Sequence, residues 1–191
     1  MIQLCIALLG FALLFLGDYN SIKWHRGFLR PAFFLGFALI ASAVGTDLSI
    51  AFYLGAVRNF DFVLLGLGFI LFLALIYCLF FAIPFRESYV DGQENRKTYR
   101  GGVYGLCRHS GVWCFGAMLL CFGIAALPSA LLWRGMLYTV LNVIYSWLQD
   151  KYIFPKVFSD HGDYCREVPF LIPTGESLRR FFHRGAKEES A

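Results

Sequence analysis

Tyr104, Arg108 and His109 fall within six residues of one another, in the stretch GGVYGLCRHSGVWCF, immediately ahead of an apolar run. A second polar pair, Gln149 and Asp150, closes the next apolar run. An arginine and an imidazole beside the first free amides of a helix make a site for a carboxylate or a phosphate. Ser110 is placed to cap that helix. A carboxylate such as Asp150 accepts hydrogen bonds from hydroxyls, so a ligand carrying both an anion and a sugar would suit the two groups together. The same residues admit a plainer reading, in which Arg108 binds lipid phosphate and His109 lies at a membrane interface.

The elements that must position these groups are apolar helices. A membrane-spanning helix needs about 20 mostly apolar residues, and Ile2–Gly17, Phe62–Phe85 and Leu131–Leu148 approach or meet that length. Pro31–Thr46 and Val112–Leu127 are shorter and lengthen through uncharged flanks. The stretch LSIAFYLGAV either extends the second span or lies along the interface. Only PSA separates the fourth and fifth runs, which predicts an antiparallel hairpin. At about 1.5 Å per residue the first arm rises roughly 26 Å and the second returns roughly 29 Å. Arg108 and His109 are therefore predicted to lie near Gln149 and Asp150. The expected fold is an all-α integral-membrane bundle of about five spans in one domain. Residues 1–85 hold three spans, 86–173 the loop, hairpin and site, and 174–191 a basic, disordered tail.

Charge supports that architecture. Only 16% of the 191 residues are charged, against about 25% in ordinary soluble domains. The basic residues are interleaved with apolar runs, which argues against a nucleic-acid partner despite a net charge of +4. With five spans, 15 of the 17 Lys and Arg residues fall on one side, and only Arg58 and Arg134 on the other. The positive-inside rule then places the N-terminus outside and the C-terminus in the cytosol. The first run has no basic leader and DYNSIK is a poor cleavage site, so it reads as an anchor rather than a signal peptide. The segment LRRFFHR suits the surface of an anionic leaflet. Arg134 reads as snorkelling to the outer interface. Gly10, Gly36, Gly66, Gly68 and Gly116 read as points of close helix approach. The six cysteines show no metal or disulfide spacing, no metal is expected, and Cys107 beside Arg108 is the one to test for reactivity.

The motifs carry a resemblance. GVYGLCRHSGVW resembles the glycine–x–tyrosine, arginine–histidine–proline signature of the isoprenylcysteine carboxyl methyltransferase and phospholipid methyltransferase superfamily. QDKYIFPKVFSDHGDYCREVPFLIP resembles the acidic pair and closing valine–proline and isoleucine–proline segment of the same superfamily. Together they cover about 40% of the chain, from Tyr99 to Pro173. The resemblance implies a S-adenosylmethionine site with Tyr104, Arg108, His109, Ser110, Asp150 and Pro169 as cofactor-binding residues. It also implies a lipid-soluble or small methyl acceptor reached from the membrane lipids: an isoprenylcysteine carboxylate, a phospholipid amine or a small thiol. Three positions depart from the pattern: Ser110 stands for proline, Val112 for an aromatic, and Gln149 for the first acidic residue. The last leaves either a retuned cofactor site or an inactive relative.

Methyl transfer is an in-line displacement, so the protein mainly aligns donor and acceptor. An amine acceptor must lose a proton, for which Tyr164 or His161 is placed, while Arg166 would anchor an acidic acceptor. Tyr164 and Arg166 are thus the candidate catalytic residues. Asn142, inside the fifth span, is either an interhelical hydrogen-bonding group or part of the acceptor cavity. The rival classes are a non-enzymatic scaffold or lipid-binding relative, and a small transporter, the latter disfavoured by the lack of paired charges at mid-span and of an internal repeat.

Overall fold

A computed structural model describes residues 1–55, 61–81, 97–127 and 129–188. Among the described residues the structure is helical, without strands. Helix α1 spans Ile2–Tyr19 and α2 Ala32–Tyr53. Helix α3 spans Phe62–Phe80, α4 Ser110–Ala125 and α5 Leu131–Leu148. Three short helices follow: α6 Phe154–Val157, α7 His161–Glu167 and α8 Gly175–Glu188. Three segments, Ile2–Trp24, Gly27–Tyr53 and Phe62–Leu79, are long and apolar enough to cross a membrane. Helix α4 is apolar but has 16 residues, about 24 Å at helical rise. The end of the third predicted span and most of the polar loop after it, 82–96, lie outside the described residues, as does Arg58.

The helices pack as two hairpins with α3 beside the second. Helices α1 and α2 meet backbone to backbone: a Cβ on Gly36 would lie 2.5 Å from the Gly10 carbonyl oxygen and 2.8 Å from the Leu14 amide nitrogen. Real carbon atoms do not approach so closely, so glycine is what permits this interface. Gly68 and Gly116 also face neighbouring side chains, whereas Gly66 has nothing within 4 Å of a built Cβ and is not a packing glycine. Between α1 and α2 the chain turns on Asn20. Its amide oxygen accepts from Arg26 N at 2.9 Å and its Nδ2 donates to Arg26 O at 3.1 Å. His25 sits in this turn at φ 51°, a left-handed conformation costing roughly 1–2 kcal/mol outside glycine. LSIAFY continues α2 rather than turning along an interface.

The core joins Ala7, Phe11 and Leu14 to Ile40 and Ala43, and both to Phe115, Leu119, Tyr138 and Tyr145. Helix α3 packs chiefly along α4 and has no extended contact with α2. On α5, Trp133, Met136, Leu137, Val140, Ile144 and Trp147 form an exposed stripe, while Leu131, Tyr138, Tyr145 and Ser146 point inward. Such an inverted exposure suits a lipid solvent.

Arg134 does not snorkel. Its Nη2 lies 2.7 Å from Asp47 Oδ1 and its Nε donates to Oδ2 at 2.9 Å, with Tyr138 Oη adding a bond at 3.0 Å. The Asp47 carboxylate is 0% exposed, and burying it without a cation would be costlier than turning Arg134 inward. The tail also differs from expectation, because residues 175–188 are helical rather than disordered. Thr174 and Ser177 start α8 by a reciprocal cap: Thr174 N donates to Ser177 Oγ at 2.9 Å and Ser177 N to Thr174 Oγ1 at 3.2 Å.

Candidate functional site

The two ends of the second hairpin meet as the helix arithmetic requires. Arg108 Nη2 donates to Asp150 Oδ2 at 2.6 Å and Nε to Oδ1 at 3.2 Å, a two-point grip across 42 residues. Arg108 Nη1 donates to the Val168 carbonyl at 2.6 Å and to that of Cys165 at 3.2 Å. The backbone repeats the connection, with Arg108 N donating to Pro169 O at 3.0 Å and His109 N to Phe170 O at 3.3 Å. Pro169 therefore contributes through its carbonyl. Burial pushes the Asp150 carboxyl up, but hydrogen bonds from His109 and Arg108 outweigh it and hold the group below the usual carboxylate range.

His109 is buried between rings. Its imidazole stacks on Phe154 at 5.8 Å, meets Phe170 edge-on at 5.0 Å, and places Nε2 3.4 Å from Asp150 Oδ1. Tyr104 lies in a tight turn, Gly102–Gly105, whose first glycine has φ 52°. Its hydroxyl donates to Cys78 O, at the end of α3, at 2.6 Å, and burial pushes the phenol up to about 12. Tyr164 Oη donates to Tyr104 O at 2.8 Å, and burial raises this phenol as well. Both phenols stay protonated near neutrality and fix the loop, so neither is poised to take a proton.

A cavity of about 310 Å³ opens beside these groups, within the range of small-ligand sites. Its lining joins the polar residues Thr98, Arg108, His109, Asn142, Ser146, Gln149 and His161 to the apolar residues Phe11, Phe33, Phe37, Ile40 and Leu75. Tyr104 and Tyr164 are part of the wall, while Asp150 stands behind it, held by Arg108.

Two predicted residues do not join this group. Ser110 is the first residue of α4 rather than its cap, a place taken by His109, and no side-chain bond caps the helix. Its Oγ approaches Cys78 Sγ at 4.0 Å. Arg166 points outward, its side chain 83% exposed and paired with Asp163 on the same helix turn at 3.3 Å. It is too solvated to anchor an acceptor in this cavity. Cys107 is buried, and burial pushes its thiol up, away from reactivity.

Other groups escaped the sequence reading. Asp160 accepts from Thr98 N at 2.7 Å and Thr98 Oγ1 at 2.9 Å, and pairs with Arg100 at 2.8 Å. That tie holds 97–100 over the cavity against α7. His161, read as interfacial, is 5% exposed. Its Nε2 lies 3.0 Å from Asp150 O, so Nε2 carries the proton and Nδ1, which has no partner, keeps its lone pair. Asp150, His161 and Cys165 hold their ligand atoms within 4.8 Å of one another. Both Asp150 oxygens are already gripped by Arg108, however, so a metal ion there would compete with a guanidinium. Asp18 on α1 reaches this region too, accepting from Tyr145 Oη at 2.6 Å and Gln149 Nε2 at 2.8 Å. A carboxylate one turn before a basic loop gave no signal, since its partners lie 127 and 131 residues away. No protein-family model, no curated protein and no solved structure matches this chain.

Proposed function

We propose that this chain is an integral-membrane methyltransferase that draws on S-adenosylmethionine and serves a lipophilic acceptor. The observation that carries the reading is one cavity lined both by hydrogen-bonding residues, Thr98, His109, Gln149 and His161, and by apolar ones, Phe33, Phe37 and Leu75. A polar donor and a greasy acceptor need those two environments in contact. Five spans, with the N-terminus outside and the site in the cytosol, belong to the same proposal. They rest on the segregation of 15 of 17 basic residues and on the pairing of α4 with α5 as a hairpin.

The residues present fit the cofactor. When bound, it supplies an electrophilic methyl group on a sulfonium. Asn142 offers its amide, and Gln149 and Thr98 their side-chain oxygens as acceptors, to its polar parts, and Phe154 and Phe158 offer rings to its adenine. Arg108 and Asp150 act as the frame that fixes α4 to α5 and to 165–170. For an amine acceptor, the cavity-lining His161 is the base in this reading, since the Tyr164 hydroxyl is spent on Tyr104 O.

A second reading, a non-enzymatic scaffold or lipid-binding protein of the same shape, is favoured by one observation. Arg108 and Asp150 satisfy each other and leave no free charge for a ligand. Calorimetry with S-adenosylmethionine, on protein in detergent and in bilayer discs, separates the two. Micromolar binding that is lost in a folded His109→Ala variant supports the methyltransferase. No binding in either medium leaves the scaffold.

A further inference from the structure

Asp18 is a carboxylate in unusual company. Among the described residues no cation lies within 4.0 Å of it. Its partners are the Tyr145 hydroxyl at 2.6 Å and the Gln149 amide at 2.8 Å, both neutral. Tyr145 and Gln149 are themselves part of the cavity wall, so the carboxylate stands directly behind it. The amide nitrogen of Gln149 also donates to Tyr145 Oη at 2.8 Å. Both amide hydrogens are thereby used on the α1 side, and what Gln149 has left to offer is its oxygen, an acceptor.

Among the described residues the cavity wall contains one permanent cation, Arg108, and Asp150 neutralises it at 2.6 Å. When ionised, Asp18 sets a negative charge that no described cation offsets behind Tyr145 and Gln149. The same wall includes Phe11, Phe33, Phe37 and Phe115, and the Phe11 ring lies 6.2 Å from that of Tyr145; aromatic rings attract positive charge but supply no strong hydrogen bond. A carboxylate behind neutral dipoles, in a wall containing aromatic rings, favours a diffuse organic cation over an anion or a small hydrated ion.

We propose that Asp18, Tyr145 and Gln149 form a subsite for an organic cation, a sulfonium or an ammonium, on the α1 side of the cavity. The sulfonium source rests on the methyltransferase reading; the ammonium source does not. Asp18 acts through its two wall partners and through its charge, as a positioning residue.

The test uses two matched pairs of probes on the full chain in bilayer discs. S-adenosylmethionine is compared with S-adenosylhomocysteine, which lacks the sulfonium charge, and butyrylcholine with its neutral isostere neohexyl butyrate. Dissociation constants are measured for the native chain and for Asp18→Asn. The expected result is a preference of about tenfold for the cation in at least one pair, about 1.4 kcal/mol, abolished by Asp18→Asn. Equal affinity or no binding within both pairs overturns the subsite, as does a preference that Asp18→Asn leaves intact. Discrimination in the choline pair with neither nucleoside bound keeps the subsite and removes the methyltransferase. Both nucleosides bound alike, with no choline preference, does the reverse. If Asp18→Asn does not fold, Gln149→Lys supplies an ammonium partner for Asp18 and must abolish the same preference.

Discussion

Asp18 and Asp47 are both carboxylates on the first hairpin that reach across to α5, yet they are held in opposite ways. Asp47 meets a guanidinium and a phenol, and the guanidinium contacts both of its oxygens. Asp18 meets a phenol and an amide, with no cation. The partners of Asp47, Arg134 and Tyr138, are not among the residues lining the cavity, whereas both partners of Asp18 are. A buried charge with its own counter-ion is a structural joint. One given only neutral partners beside a hole is a site that something else completes.

The comparison is broken most directly at the joint. Arg134→Met leaves Asp47 buried without a cation and is expected to lower stability by about 3–5 kcal/mol, read as a large fall in melting temperature in detergent. Adding Asp47→Leu to that variant should recover most of the loss, since no unpaired charge remains. A melting temperature that barely moves in Arg134→Met would mean that Asp47 is not the anion this contrast requires.

Asp150, on the cavity end but paired with Arg108, is the intermediate case. Its folded carboxyl titrates below the ordinary aspartate range, so its contribution is complete above the unfolded pKa and lost as pH falls through the folded value. Hydrogen bonds to charged groups put that contribution at about 2 kcal/mol. Melting curves from pH 6 downward should show an acid limb starting near the usual carboxylate pKa of about 4, flattened in Asp150→Asn. Asp18→Asn is expected to cost less, about 1 kcal/mol, because its neutral partners remain and a carboxylate is relieved of burial. Arg166→Gln is the smallest effect. An exposed ion pair contributes little, so stability should change by less than about 0.5 kcal/mol with ligand affinity unmoved.

These differences mark what the sequence could carry. The helix Leu131–Leu148 was legible to the residue because its largely apolar run carries one charge, Arg134, and no proline. The sequence leaves open whether Pro31–Thr46 continues through LSIAFY because Asp47 interrupts the run, and the partner that lets Asp47 be buried lies 87 residues on. The meeting of Arg108 with Asp150 followed from two helix lengths and a short turn. What each faces did not, since rotation about a helix axis is set by packing rather than by length. The same limit hid Asp18 and the Asp160–Thr98 tie, whose partners are 62 residues apart. Ser110 was misplaced by one residue, and Arg166 by the side of α7 on which it falls.

The grip of Arg108 has a consequence for how the chain is made. Its partners are Asp150, Cys165 and Val168, the last 60 residues downstream. Ribosomes add about 5–20 residues per second, so Arg108 waits on the order of 3–12 seconds between its own synthesis and that of its final acceptor. Until Asp150 is made, 42 residues on, its charge has none of these partners and depends on water and lipid headgroups at the membrane surface. A nascent chain halted before residue 150 would hold its apolar helices while lacking every one of those acceptors, and residues 165–168 reach the site only after both arms of the hairpin are made.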